Sequence, residues 1–155
     1  MKTFELLKIG SDRLKEKKIM SFNLDSELLL TKVLKKSRQD ILQNLNQKIH
    51  KNHFQKFSYL INRRSTHEPV AYILEKKEFW NKLFYVTKDT LIPRPETELM
   101  IDQLLKKYKN KKNISILDMG TGSGCIIISL LSELSNSVGV GIDISHRALE
   151  IAKKN

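Results

Sequence analysis

The clearest chemical signal in the chain is the run Gly120-Thr121-Gly122-Ser123-Gly124, which follows directly on Ile114-Ser115-Ile116-Leu117-Asp118-Met119. Glycines at alternate positions let the backbone turn sharply and approach a ligand closely. The apolar run Cys125-Ile126-Ile127-Ile128-Ser129-Leu130-Leu131 then reads as a buried helix, and the N–H groups at its start offer donors to the same ligand. The order is therefore strand, glycine turn, helix. A second strand over Val138–Ile142 ends at Asp143, 23 residues after Gly120. An acid at that place can accept both hydroxyls of a ribose.

Dinucleotide-binding loops share this layout but prefer G-x-G-x-x-G. Here the spacing is G-x-G-x-G, Asp118 stands two residues before the first glycine, and Cys125 occupies the position of the third dinucleotide glycine. That pattern favours S-adenosyl-L-methionine, which has no pyrophosphate to cradle, over an NAD-linked oxidoreductase. Gly120, Thr121, Gly122, Ser123, Gly124 and Asp143 are accordingly the candidate cofactor-binding residues. The bland alternative is a tight structural turn, which leaves Asp118 and Asp143 without a role.

Other chemistry-bearing residues are weaker candidates. His50 and His53 have helical spacing but no nearby cysteine or carboxylate in sequence, so they read as surface or capping residues and no metal site is expected. Cys125 reads as packing filler rather than a reactive thiol. Phe79 and Trp80 read as packing in a β-ribbon that joins two domains rather than as a stacking platform for RNA bases. Arg94, between Pro93 and Pro95, points either at the cofactor pocket or at a salt bridge with Glu96 or Glu98.

The elements that must position these residues follow from composition and periodicity. The chain has 155 residues, 40% hydrophobic and 29% charged, the balance of a folded globular protein. No apolar run approaches the ~18 residues of a membrane span, the start lacks the apolar core of a signal peptide, and the one cysteine excludes an internal disulfide. A cytoplasmic protein with no membrane association is expected. The net charge of +11 is uneven: residues 1–112 hold 25 Lys and Arg against 13 Asp and Glu, and residues 113–155 hold 3 against 4. A phosphate-rich partner such as nucleic acid is one reading of that surplus. The favoured reading is drifted surface composition, because the bases are spread over many segments.

The first ~65 residues read as a helical bundle. Asp25 or Ser26 is expected to cap a helix through Lys36, and a further helix near Lys51–Arg64 puts Phe54, Phe57, Leu60 and Ile61 on one side. After Pro69 the aromatic stretch from Val70 to Thr87, broken at Asn81-Lys82, suggests a β-hairpin or a ribbon linking two domains. A two-proline turn and a helix to about Tyr108 follow, with acids in its first turn and lysines at its end.

These segments together resemble the HemK-type release-factor glutamine methyltransferases. Asp25-Ser26-Glu27-Leu28-Leu29-Leu30 with Val33-Leu34 resembles that family's N-terminal helical domain, and Glu68-Pro69-Val70-Ala71-Tyr72 through Glu78-Phe79-Trp80 its connecting hairpin. Leu91-Ile92-Pro93-Arg94-Pro95-Glu96-Thr97-Glu98 is the most specific match, since general methyltransferases lack it. The resemblance implies an α/β protein: a helical bundle over 1–68, a β-hairpin linker over 69–90, and over 91–155 the start of a Rossmann-like class I methyltransferase domain, truncated after its second strand. It implies methyl transfer from S-adenosyl-L-methionine to a glutamine side-chain amide in peptide chain release factors.

The chain departs from the family pattern twice. Leu74-Glu75 stands where a residue and glycine are usual, which implies a wider hairpin turn. The family's Asn-Pro-Pro-Tyr acceptor clamp has no counterpart, since the only prolines are Pro69, Pro93 and Pro95. No catalytic residue is therefore assigned, and the chain alone is expected to be inactive. A competing reading is a non-enzymatic basic module that contacts the ribosome or a release factor through a vestigial fold.

Overall fold

The computed structural model describes residues 1–155 and divides into two compact units, Met1–Leu74 and Glu75–Asn155. The first unit is helical: α1 (Thr3–Glu16), α2 (Phe22–Leu34), α3 (Arg38–Gln43), α4 (Lys51–Ser65) and α5 (Val70–Leu74). Its core is Leu6, Leu14, Ile19, Leu29, Leu30, Ile41, Phe57, Leu60, Ile61 and Ile73. Each such side chain contributes about 1.5–3 kcal/mol by leaving water. The helix expected at Lys51–Arg64 is α4, with Phe57, Leu60 and Ile61 buried on one face.

Two expectations for this unit need correction. Helix α2 starts at Phe22, ahead of Asp25 and Ser26, with Ser21 preceding it. Both expected caps are buried and turned sideways: Asp25 Oδ2 accepts from Arg64 Nε at 2.7 Å and from Ser21 Oγ at 2.8 Å, while Ser26 Oγ donates to the Leu7 carbonyl at 3.1 Å. The helix also ends at Leu34, with Lys35 in the left-handed conformation. Residues 70–74, expected in the hairpin linker, form α5. Ile73 is fully buried and Lys32 Nζ donates to the Leu74 carbonyl at 3.3 Å, so tertiary packing overrides the strand-like composition.

The second unit opens with the antiparallel hairpin β1 (Lys76–Phe79) and β2 (Lys82–Tyr85). Its turn is Trp80-Asn81, one residue earlier than Asn81-Lys82; both residues have positive φ, the conformation that matches strand twist in two-residue hairpins. Leu74-Glu75 therefore does not form the hairpin turn. Glu75 instead leaves α5 with φ 59°. Phe79 and Phe84 are buried, their rings edge to face at 6.1 Å. Trp80 N donates to Glu98 Oε1 at 2.8 Å and Trp80 Nε1 to Glu133 Oε1 at 3.1 Å, which fixes the hairpin tip by hydrogen bonds within the unit.

Helix α6 (Glu96–Tyr108) follows the two-proline turn, with Glu96 and Glu98 in its first turn and Lys106 and Lys107 in its last. Then come β3 (Ser115–Met119), α7 (Cys125–Glu133), β4 (Val138–Ile142) and α8 (His146–Lys154). Strands β3 and β4 pair in parallel through the crossover helix α7, the Rossmann-like arrangement. Ile127 and Leu130 of α7 are buried. A Cβ on Gly139 would lie 2.8 Å from Ile127 Cδ1, so the Ile127 side chain packs closely over the strand where glycine stands. No helix is long and apolar enough to cross a membrane.

Candidate functional site

The loop between β3 and α7 is held in shape by both acids singled out in the sequence. Gly120, Gly122 and Gly124 all have positive φ, at 76°, 55° and 77°. The N–H groups of Gly120 and Thr121 donate to the Ile142 carbonyl at 2.8 and 2.9 Å, which folds the turn over the end of β4. Thr121 Oγ1 donates to Asp118 Oδ2 at 2.8 Å. Gly122 N–H donates to Asp143 Oδ2 at 2.8 Å, and Ser145 N–H to Oδ1 of the same carboxylate at 2.8 Å. Those two bonds, Ser145 first, hold the Asp143 carboxyl below the usual carboxylate range.

The sequence did not show that Asp118 and Asp143 each brace the turn, since those contacts cross 3 and 21 residues. Bracing does not exhaust them. A carboxylate offers about four acceptor positions, and the two hydrogen bonds on Asp143 leave room for two hydroxyl donors. The six predicted site residues thus come together as one turn with one acid beside it.

The remaining wall comes from the two-proline turn. Leu91, Ile92, Pro93, Arg94 and Thr97 enclose a cavity of about 110 Å³ with Gly120–Ser123, Cys125 and Ile126. Arg94 forms no ion pair with Glu96 or Glu98; Glu98 Oε1 accepts from Trp80 instead. Ser123 is 2% exposed, and its Oγ has no oxygen or nitrogen partner, only the weakly accepting Cys125 sulfur. A buried hydroxyl with only a weak sulfur partner and an exposed Arg94 without an ion pair line one small cavity, which suits a polar, carboxylate-bearing ligand. Nothing lies within 4 Å of a Cβ built on Gly120, so that side of the turn is open. Burial pushes the Cys125 thiol up, which makes it a poor nucleophile. His50 precedes α4 as its N-cap residue and His53 lies in the first turn of the same helix, both in the helical unit.

Comparison with known proteins places these features. Residues 5–74 match the model described as the PrmC N-terminal domain, and residues 110–155 match one described as a methyltransferase domain. The chain is similar to the release factor glutamine methyltransferase of Buchnera aphidicola subsp. Schizaphis graminum, 47% identical over 131 residues, or 84% of this chain and 47% of that protein. Against its counterpart from Buchnera aphidicola subsp. Baizongia pistaciae it is 41% identical over 155 residues, 100% of this chain and 56% of that protein. Against that of Caulobacter vibrioides it is 35% identical over 146 residues, 94% of this chain and 50% of that protein. The chain spans about half the length of the curated relatives it matches.

Proposed function

Since the chain belongs to the HemK-type release factor glutamine methyltransferase family, as its N-terminal domain and the first part of its methyltransferase domain, we propose that the turn after β3 binds S-adenosyl-L-methionine. The whole protein then methylates a glutamine side-chain amide of peptide chain release factors, acting in the cytoplasm. The observation that carries the reading is the Gly122–Asp143 contact, which sets an ionised acid with spare acceptor positions at the rim of a turn that is open at Gly120.

The residues fit that cofactor in kind. Asp143 holds the ribose hydroxyls with its remaining acceptor positions. The N–H groups of Gly120, Thr121, Gly122 and Gly124 are taken by the Ile142 carbonyl, Asp143 and the Thr121 carbonyl, so the backbone donors left for the ligand are those at the start of α7. Arg94 and the Ser123 hydroxyl take the charged amino-acid end. Bound there, S-adenosyl-L-methionine supplies a methyl group already activated by its sulfonium, so the protein's work is mostly positioning. Residues 1–155 supply the cofactor's cradle, and no residue among them is assigned to hold the acceptor amide.

Isothermal titration of the longer polypeptide that carries the rest of the family's domain tests the reading. S-adenosyl-L-methionine is expected to bind and NAD to give no heat. Binding of NAD alone would overturn it.

A further inference from the structure

We infer that Asn155 is a positioning residue for the glycine turn, joining it to the β-hairpin. Its amide makes three hydrogen bonds: Oδ1 accepts from Tyr85 N–H at 2.7 Å, and Nδ2 donates to the Tyr85 carbonyl at 3.0 Å and to the Ser123 carbonyl at 2.9 Å. The first two copy what a neighbouring strand would offer the last residue of β2. The third carries the remaining proton of the –NH₂ group to the turn. Two carbonyls and one N–H around one side chain fix the amide orientation and demand one acceptor and two donors at that reach. Aspartate lacks the donors, serine has only one, and glutamine is longer by a methylene.

The neighbouring residue supports the same docking. The Lys154 ammonium lies 3.4 Å from the centre of the Tyr85 ring, so the end of α8 is held on the hairpin by a cation–π contact as well. Ser123 sits between Gly122, tied to Asp143, and Gly124, which leads into α7. The turn is therefore gripped from the β4 side by Asp143 and from the hairpin side by Asn155. Three left-handed glycines have no side chains of their own to hold that shape.

The inference rests on reading the turn as the cofactor's cradle, yet its first readout needs no ligand. In the longer polypeptide, Asn155→Ala and Asn155→Asp are expected to speed amide hydrogen exchange at Gly122, Ser123 and Gly124 about tenfold, while exchange in the middle of α7 and in Met1–Leu74 stays as in the parent. The dissociation constant for S-adenosyl-L-methionine is expected to rise about fivefold, in keeping with loss of one surface-exposed hydrogen-bond group. Unchanged exchange in the turn overturns the inference, as does a uniform rise across Glu75–Asn155, which would make Asn155 a general stabiliser. Faster exchange in the turn of a protein whose parent binds no S-adenosyl-L-methionine supports the brace and overturns the cofactor reading.

Discussion

The Gly122 N–H lies 2.8 Å from Asp143 Oδ2, so the acid at the end of β4 is also a strut of the turn after β3. The two parts of the candidate site are thus mechanically one: whatever charge state Asp143 adopts is felt by the glycine backbone.

That coupling predicts a pH signature. Ser145 and Gly122 N–H groups both favour the ionised carboxylate and lower its pKa in the folded chain. A depressed folded value means that its contribution is present above the unfolded value near 4 and is lost as pH falls through the lower folded one. Glu68, beside Arg63, and Asp40, hydrogen-bonded by Ser37, shift the same way. Thermal stability is expected to stay level from about pH 8 to 5 and to drop below about pH 4. The Gly122 and Ser145 amide shifts should titrate together with a midpoint below 4, and Asp143→Asn should abolish that titration. Amide shifts that stay flat down to pH 2 would contradict the strut.

Gly122→Val should abolish S-adenosyl-L-methionine binding in the longer polypeptide. A Cβ on Gly122 meets nothing closer than the Gly120 carbonyl at 3.9 Å, so space is not the obstacle. The obstacle is φ 55°, which costs an ordinary residue about 1–2 kcal/mol and a β-branched one more, together with a side chain intruding where a ligand must approach. Affinity measured by titration calorimetry should fall well over tenfold, with the melting of the helical unit unmoved. Unaltered affinity would remove the turn from the binding site.

Glu75→Gly should stabilise the chain. Glu75 leaves α5 with φ 59°, a left-handed conformation in which glycine avoids the Cβ penalty. Part of that gain is offset by glycine's greater freedom when unfolded and by loss of the Glu75 side chain's own interaction, which leaves at most about 0.5–1 kcal/mol. Chemical denaturation of parent and variant measures it, and a lower midpoint for the variant would show that Glu75 side-chain contacts outweigh the backbone strain.

How much of this was readable in advance depended on whether the signal was local. The bounds of β4 and α6, and the start of α7, followed from runs of apolar residues closed by proline, glycine and charge, and those agree with the structure. The α5 helix did not, because Val70-Ala71-Tyr72-Ile73-Leu74 has strand-like composition and becomes helical through burial of Ile73 against the bundle. Asp25 and Ser26 have the chemistry of helix caps, yet Arg64 and the Leu7 carbonyl, far along the chain, claim their side chains. The glycine turn and Asp143 were legible as residue types at a spacing. That Asn155 joins them through Ser123, 32 residues away, was not.

Arg94→Met should separate the two ends of the cofactor. Arg94 has no ion pair and lines the cavity beside Ser123, so its charge is available to a carboxylate. In the longer polypeptide the variant should bind S-adenosyl-L-methionine about fivefold to tenfold more weakly, the order expected for a partly exposed charge-assisted hydrogen bond. Methylthioadenosine, which lacks the amino-acid moiety, should bind as before. Equal weakening of both ligands would instead make Arg94 a structural part of the two-proline turn.

The 155-residue polypeptide by itself should transfer no methyl group. It has the glycine turn and Asp143, so weak binding of the donor is expected to survive, but none of its residues matches the family's Asn-Pro-Pro-Tyr acceptor clamp. Methyl transfer to an amide nitrogen depends on holding a weak nucleophile in line with the sulfonium, and such positioning supplies about 7–11 kcal/mol of barrier reduction in well-oriented systems. Loss of most of that term lowers the rate by several orders of magnitude. Incubation with radiolabelled S-adenosyl-L-methionine and unmodified release factor, alongside the longer polypeptide as control, measures it. Label on a release-factor glutamine at a comparable rate would show that residues 1–155 already hold the acceptor. The segment Leu91–Glu98, which walls the cavity beside the turn, would then be the first place to look for the contact.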